Sequence, residues 1–164
     1  MPTEQELRLH RCCFTGHRPE KLHQPEAFIK AELEKAIRQA ISDGYTTFIS
    51  GMARGVDIWA AQIVLRFRAN NPAIHLIAAV PYKGFESRWS KSWQDQYNFI
   101  LEYADLVRYI CKGYSMASFQ RRNEWMVNHS NRVIAVFNGE SGGTRNTIDY
   151  AQKSQIECII LTVK

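Results

Sequence analysis

Residues 50–57 read SGMARGVD, and their setting decides how the whole chain is read. Before them lies TTFIS (46–50), rich in Thr, Phe and Ile, as a buried strand requires. After them lies IWAAQIVLRF (58–67), apolar at helical spacing. A strand therefore turns into a helix across Gly51, Arg54 and Gly55. Glycine lets backbone approach a ligand with no Cβ in the way. The start of a helix offers unpaired N–H groups and the positive end of its dipole. Arg54 adds a fork of donors suited to phosphate. Asp57 falls in the first turn, where a carboxylate suits the dipole. Taken alone, the stretch reads as well as a tight turn with an acidic cap.

Outward from this junction the same alternation continues. RCCFTG (11–16) reads as a strand, and QPEAFIKAELEKAIRQAISDG (24–44) as a helix stopped by Gly44. AIHLIAAV (73–80) is a nearly all-apolar strand, hence buried on both faces. Residues 83–104 are aromatic-rich and partly helical. Their Trp89, Trp93 and Tyr97 share one helical face that should pack on the sheet. Apart from Tyr82 and Phe85, the rings of 82–99 are expected to be largely buried. DLVRYI (105–110) is a strand, and SMASFQRRNEWMVNHS (115–130) a helix with Ser115 or Ser118 as its cap. RVIAVF (132–137) is a strand, GGTRNTIDYAQKS (142–154) a helix capped by Thr144, and IECIILTV (156–163) a last strand.

Strand and helix alternating from end to end predict βαβ units. The expectation is a single three-layer α/β/α Rossmann-like domain over residues 1–164, with its core at about 11–163 and a mostly parallel sheet. Ligands of such sheets bind beyond the carboxyl ends of the strands, where the strand order reverses. The junctions there carry the candidate ligand-binding residues. They are Gly16, His17 and Arg18; Gly51, Arg54, Gly55 and Asp57; Tyr82, as a ring to stack on a base; Arg122 and Asn123; and Gly142, Gly143, Thr144 and Arg145. Several glycine-bearing junctions on one sheet edge describe a phosphate-and-ribose cleft better than unrelated turns do.

The bulk composition sets limits on this reading. The 164 residues are 45% hydrophobic and 23% charged, an ordinary globular balance. No apolar run approaches the ~20 residues that span a bilayer. The segment MPTEQELRLHR carries no signal-peptide core, so a cytoplasmic location is expected. The four cysteines, Cys12, Cys13, Cys111 and Cys158, form no CxxC pair and read as buried thiols. The net charge of +5 favours anionic ligands, but the basic residues are dispersed. No GK[ST] follows the glycines, so this is no Walker A loop, and GxGxxG is absent too. No HExxH and no nucleophilic triad stands out, so neither a metal nor a cofactor is expected.

The motifs CCFTGHRPEKL, FISGMARGVDIWAA, AVPY and VFNGESGGTRNTIDYA together resemble the SLOG superfamily. They are most similar to its YpsA-like branch of small bacterial and phage proteins, from about residue 11 to 163. The resemblance implies a Rossmann-like fold and an association with nucleotides and nucleotide-derived signals, NAD and ADP-ribose derivatives among them. The implied role is a sensor or sequestering protein for such a ligand, able to pair with a second copy. Two relatives point elsewhere. SGMARGVD is similar to a segment of DNA-processing protein A, which implies single-stranded DNA as an alternative partner. RRNEWM and SGGT resemble the Lonely Guy phosphoribohydrolases, which implies nucleotide N-glycoside hydrolysis. Arg122 and Met126 fit that family's Arg-Lys-x-x-Met motif, but Asn123 replaces the Lys. Thr144 fits its Gly-rich motif, but Thr147 stands where the catalytic Glu belongs. N-glycoside cleavage needs a carboxylate there, so binding without turnover is the leading expectation.

Overall fold

The computed structural model describes residues 1–164. After a short helix α1 (Glu4–Arg8) the elements run β1 (Arg11–Thr15), a single 3-10 turn (Pro19–Lys21), α2 (Glu26–Ser42), β2 (Thr47–Ser50), α3 (Val56–Asn70) and β3 (His75–Val80). Then follow α4 (Lys91–Tyr103), β4 (Leu106–Tyr109), α5 (Ser118–Asn128), β5 (Arg132–Phe137), α6 (Gly143–Lys153) and β6 (Glu157–Thr162). The six strands form one sheet in the order β4-β3-β2-β1-β5-β6, and every pairing is parallel. This is a single α/β Rossmann-like arrangement.

Alternation along the strands sends side chains into two cores. Cys12 and Phe14 join Phe48, Leu76 and Val80 beneath α2, α3 and α4. Cys13 joins Ile49, Ala79, Val133 and Ala135 beneath α5 and α6. The adjacent cysteines thus lie on opposite faces, and burial drives the Cys13 thiol up to about 12. Such thiols stay protonated and inert.

From β1 the chain steps outward through β2 and β3 to β4. Helix α5 then carries it back across the far face to β5, on the other side of β1. The connections leaving β1 and β5 therefore diverge, and a crevice opens between them. At the opposite end of the sheet, Arg132 ties β5 to Asp43 at 2.9 Å and Glu157 at 2.6 Å. That network lies at the amino ends of the strands, remote from the crevice.

Several local expectations need correction. Thr144 does not cap α6: Gly142 occupies the N-cap, with φ at +142° and no side-chain hydrogen bond. Ala117, not Ser115 or Ser118, occupies the N-cap of α5. The Ser118 hydroxyl instead accepts from the Ser115 N–H at 2.8 Å and donates to the Gly113 carbonyl at 3.1 Å, which shapes the preceding turn. Trp89 precedes α4 rather than lying on it. Tyr97 is buried, but Phe99 is 55% exposed because it falls on the opposite side of the helix. Helix α1 lies in the segment MPTEQELRLHR, to which the sequence reading assigns no element. Its signal is a capping box, in which the Thr3 hydroxyl accepts from the Glu6 N–H while the Glu6 carboxylate accepts from the Thr3 N–H.

Candidate ligand cleft at the switch point

At the carboxyl ends of β1, β2, β3 and β5 lies a cleft of about 580 Å³. Its walls come from five separate junctions. Gly16, His17, Arg18 and Lys21 follow β1, and Ala53, Arg54 and Asp57 follow β2. Tyr82, Phe85 and Trp89 follow β3, and Phe119, Arg122 and Asn123 open α5. Glu140 to Thr144 lead into α6.

The floor is set by two buried charged side chains, Asp57 and Arg122. Asp57 Oδ2 accepts from the Ala53 N–H at 3.2 Å, while Oδ1 has no hydrogen-bond partner. Burial raises its carboxyl from 3.8 to about 6, against the opposing pull of Arg122 and the Ala53 N–H. Arg122 reaches in from the far face of the sheet. Its guanidinium donates to the Gly51 carbonyl, and its Nε to Asn123 Oδ1 at 2.8 Å. Burial lowers its pKa, and Asp57 partly offsets this. The two charges make no direct ion pair.

The rim is assembled by cross-links between loops. The Asn138 N–H donates to His17 Nε2 at 3.1 Å, and the Asn138 amide donates to the Lys21 carbonyl at 3.1 Å. His17 stacks beside Phe137, and burial lowers its pKa. Its Nε2 must be the bare nitrogen to accept, so His17 is neutral in this arrangement. Arg54 forms a 2.6 Å pair with Glu20, which fastens the loop after β2 to the 3-10 turn. At the start of α6, the N–H groups of Gly143, Thr144 and Arg145 have no partner within the chain, as at any helix N-terminus.

The glycines divide by role. A Cβ on Gly16 would come within 2.5 Å of the Val56 side chain, so Gly16 lets β1 pack tightly on the start of α3. Gly55 has φ at +90°, and a Cβ there would lie 2.8 Å from the His17 carbonyl. Gly51 lies under the Arg122 guanidinium, which would stand 3.0 Å from a Cβ. Gly51 and Gly55 thus support the floor from below the cleft wall. Arg145 also stands off the wall: its guanidinium lies over the Phe137 ring and 3.6 Å from Asp149. The other candidates, Gly16, His17, Arg18, Arg54, Asp57, Tyr82, Arg122, Asn123, Gly142, Gly143 and Thr144, come together on the wall. Sequence reasoning passed over Lys21 and Phe119. Each lies within a junction already singled out, so junction position was the signal available for them. Nowhere do three His, Cys, Asp or Glu side chains gather in a way that could hold a metal ion.

The model of the YspA SLOG family matches residues 12–163. This chain belongs to the YspA SLOG family. Its relatives include the SPbeta prophage-derived protein YoqJ of Bacillus subtilis, 33% identical over 141 residues, covering 78% of this chain and 82% of that one. A UPF0398 protein of Halalkalibacterium halodurans is 28% identical over 151 residues, covering 87% and 80%. Among solved structures, DNA processing protein A of Streptococcus pneumoniae superposes with a TM-score of 0.69 at 18% identity. That match covers 96% of this chain but only 52% of the pneumococcal one, so the YspA SLOG chain spans about half its length. The Helicobacter pylori counterpart gives 0.67 at 19% identity, covering 98% and 68%. At these identities the likeness is one of fold. No helix of the YspA SLOG domain is long and apolar enough to cross a membrane.

Proposed function

We propose that this chain binds a nucleotide or nucleotide-derived small molecule, of the NAD or ADP-ribose kind, in the switch-point cleft, and that it acts as a sensor or sequestering protein. The observation that carries this reading is the Asp57–Arg122 floor. A carboxylate oxygen without a partner is costly when buried. A ribose hydroxyl would satisfy Asp57 Oδ1. The free N–H groups of Gly143 and Thr144, with Arg18 and Lys21 nearby, would take phosphate.

Turnover is not part of the proposal. The Thr147 hydroxyl donates to the Gly143 carbonyl at 2.8 Å, so no acid stands at the position where a phosphoribohydrolase needs one. A second reading is single-stranded nucleic acid. It draws on the Helicobacter pylori structure, which describes a single-stranded DNA binding mode, and on the cations at the rim.

Native mass spectrometry of the protein as purified, followed by calorimetry with AMP, NAD and ADP-ribose, tests the proposal. A retained or titratable nucleotide lost on Asp57→Asn is the expected result. Absence of binding by all three, with tight single-strand binding instead, would favour the second reading.

A further inference from the structure

A second cavity, of about 710 Å³, opens among α2, α3 and α4 and shares no residue with the switch-point cleft. Its floor is one stripe of α3. Trp59, Ile63, Arg66 and Ala69 recur there at helical spacing, over about 15 Å of helix. Trp93 packs against Trp59, and Gln62 donates to Gln96 at 2.9 Å, which fixes α4 beside α3. Further along α4, Phe99 and Tyr103 form the wall, one turn apart, with ring centroids at 4.7 Å. They keep 55% and 49% of their surface exposed. Two open rings beside an apolar floor are surface that a ligand would cover. The charged part of the lining has one sign. Lys30, Arg66 and Arg68 border the cavity, and no Asp or Glu does. Arg68 is held by Asp105 at 2.8 Å, and Asp105 also accepts from the Leu76 N–H, so that pair belongs to the fold. Lys30 and Arg66 are less committed. Their partners, Glu26 at 2.7 Å and Glu34 at 3.7 Å, stand outside the cavity, and both pairs are largely in solvent, where an ion pair is worth little. Lys30 Nζ also lies 5.7 Å from the centroid of the Trp59 ring, at the floor.

We propose that this cavity is a second ligand site, for a small amphipathic carboxylate. Its alkyl chain lies along the Trp59–Ala69 stripe beside Phe99 and Tyr103, and its carboxylate meets Lys30 or Arg66 at the rim. This site does not depend on the nucleotide reading. Charge decides the class: a cation would meet only like charge, whereas a carboxylate gains a charge-assisted hydrogen bond from a side chain already in place. Concavity decides the size. The volume falls within the range of about 300–1,000 Å³ usual for small-molecule sites, and the stripe has the length of a medium-chain acid. A second copy of the chain needs a broader surface, about 800 Å² on each partner, and here the apolar surface is confined between three helices.

The test is calorimetry on the full chain with decanoate and with decanol, which keeps the chain and lacks the charge. The variants are Lys30→Gln combined with Arg66→Gln, Phe99→Ala, and Arg18→Gln in the switch-point cleft. None of these side chains is buried, and thermal melts confirm that each variant folds. Decanoate should bind more tightly than decanol. The double variant should weaken decanoate by about tenfold or more, the loss of a charge-assisted contact, and leave decanol within about twofold. Phe99→Ala should weaken both probes, and Arg18→Gln neither. If the double variant leaves decanoate unchanged, or if Arg18→Gln weakens it, the anion binds elsewhere and the proposal is wrong. If decanoate does not bind, the site falls, and sedimentation of the wild type and Phe99→Ala then shows whether a second copy covers this face instead. None of these results bears on the nucleotide reading of the cleft.

Discussion

A guanidinium shut away from water needs acceptors around it, and Arg122 finds them in the Gly51 carbonyl and the Asn123 side chain. Arg122→Ala removes the donor that satisfies a buried carbonyl, and is expected to cost about 2–3 kcal/mol of stability in urea melts. Asp57 behaves differently, because its folded-state carboxyl is raised to about 6 from 3.8. The folded protein then holds this proton more tightly than the unfolded chain. The resulting stabilisation is complete below about pH 4 and is lost as the pH rises through about 6. Relative to Asp57→Asn, the wild-type protein should therefore lose stability between pH 4 and 6. Urea midpoints for the two proteins that run parallel across that window would refute this account. Gly16 is constrained by packing rather than by its dihedral angles. Gly16→Ala drives a methyl into Val56 and should cost about 1–3 kcal/mol.

At the scale of elements, the loop into α6 separates stability from binding. Gly142 holds φ at +142°, where any other residue is strained. The Thr144 side chain caps nothing and makes no hydrogen bond within the chain, though the residue is buried. Thr144→Val is therefore expected to leave the melting temperature within about 2 °C, the shift expected for a few tenths of a kcal/mol. It should still weaken a phosphorylated ligand in calorimetry. A large loss of stability would mean that the hydroxyl supports the fold instead. Helix α5 shows the limit of local reading. Its segment reads as a helix in the sequence, but nothing local marked Arg122 as reaching beneath Gly51, 71 residues away in sequence. The serine caps failed for a related reason. Ser115 and Ser118 satisfy each other and Gly113, so the turn uses the hydroxyls that a cap would need.

Over the whole molecule, charge and rings bear on the nucleic-acid alternative. The net charge of +5 is modest, and several of the cations are tied in ion pairs, among them Arg54–Glu20, Arg68–Asp105 and Arg132–Asp43. Trp89 packs on Phe85 and Tyr97, and Trp93 packs on Trp59, which leaves these indoles half-buried. Single-strand binding is therefore expected to be weak and to fall steeply with salt. Fluorescence anisotropy with a ~20-nucleotide strand measures it, a length chosen to exceed one site. Sub-micromolar affinity at physiological salt that is lost on Trp89→Ala would reverse that ranking.

The sequence by itself determined the alternation of strands and helices, the parallel sheet, the family and the junctions that carry glycines and polar groups. Those features rest on local periodicity and on turn chemistry, which a one-dimensional pattern records directly. Only the tertiary structure decided which junctions share a wall, because that depends on the strand order around β1 and on α5 crossing back to β5. The same crossing puts Arg122 on the cleft floor with Asp57 and moves Gly51 and Gly55 from the wall to its foundation. Burial did the rest, since a carboxyl raised to about 6 and a lowered His17 pKa follow from solvent exclusion. Solvent exclusion is a property of packed neighbours, and a string of residues does not carry it.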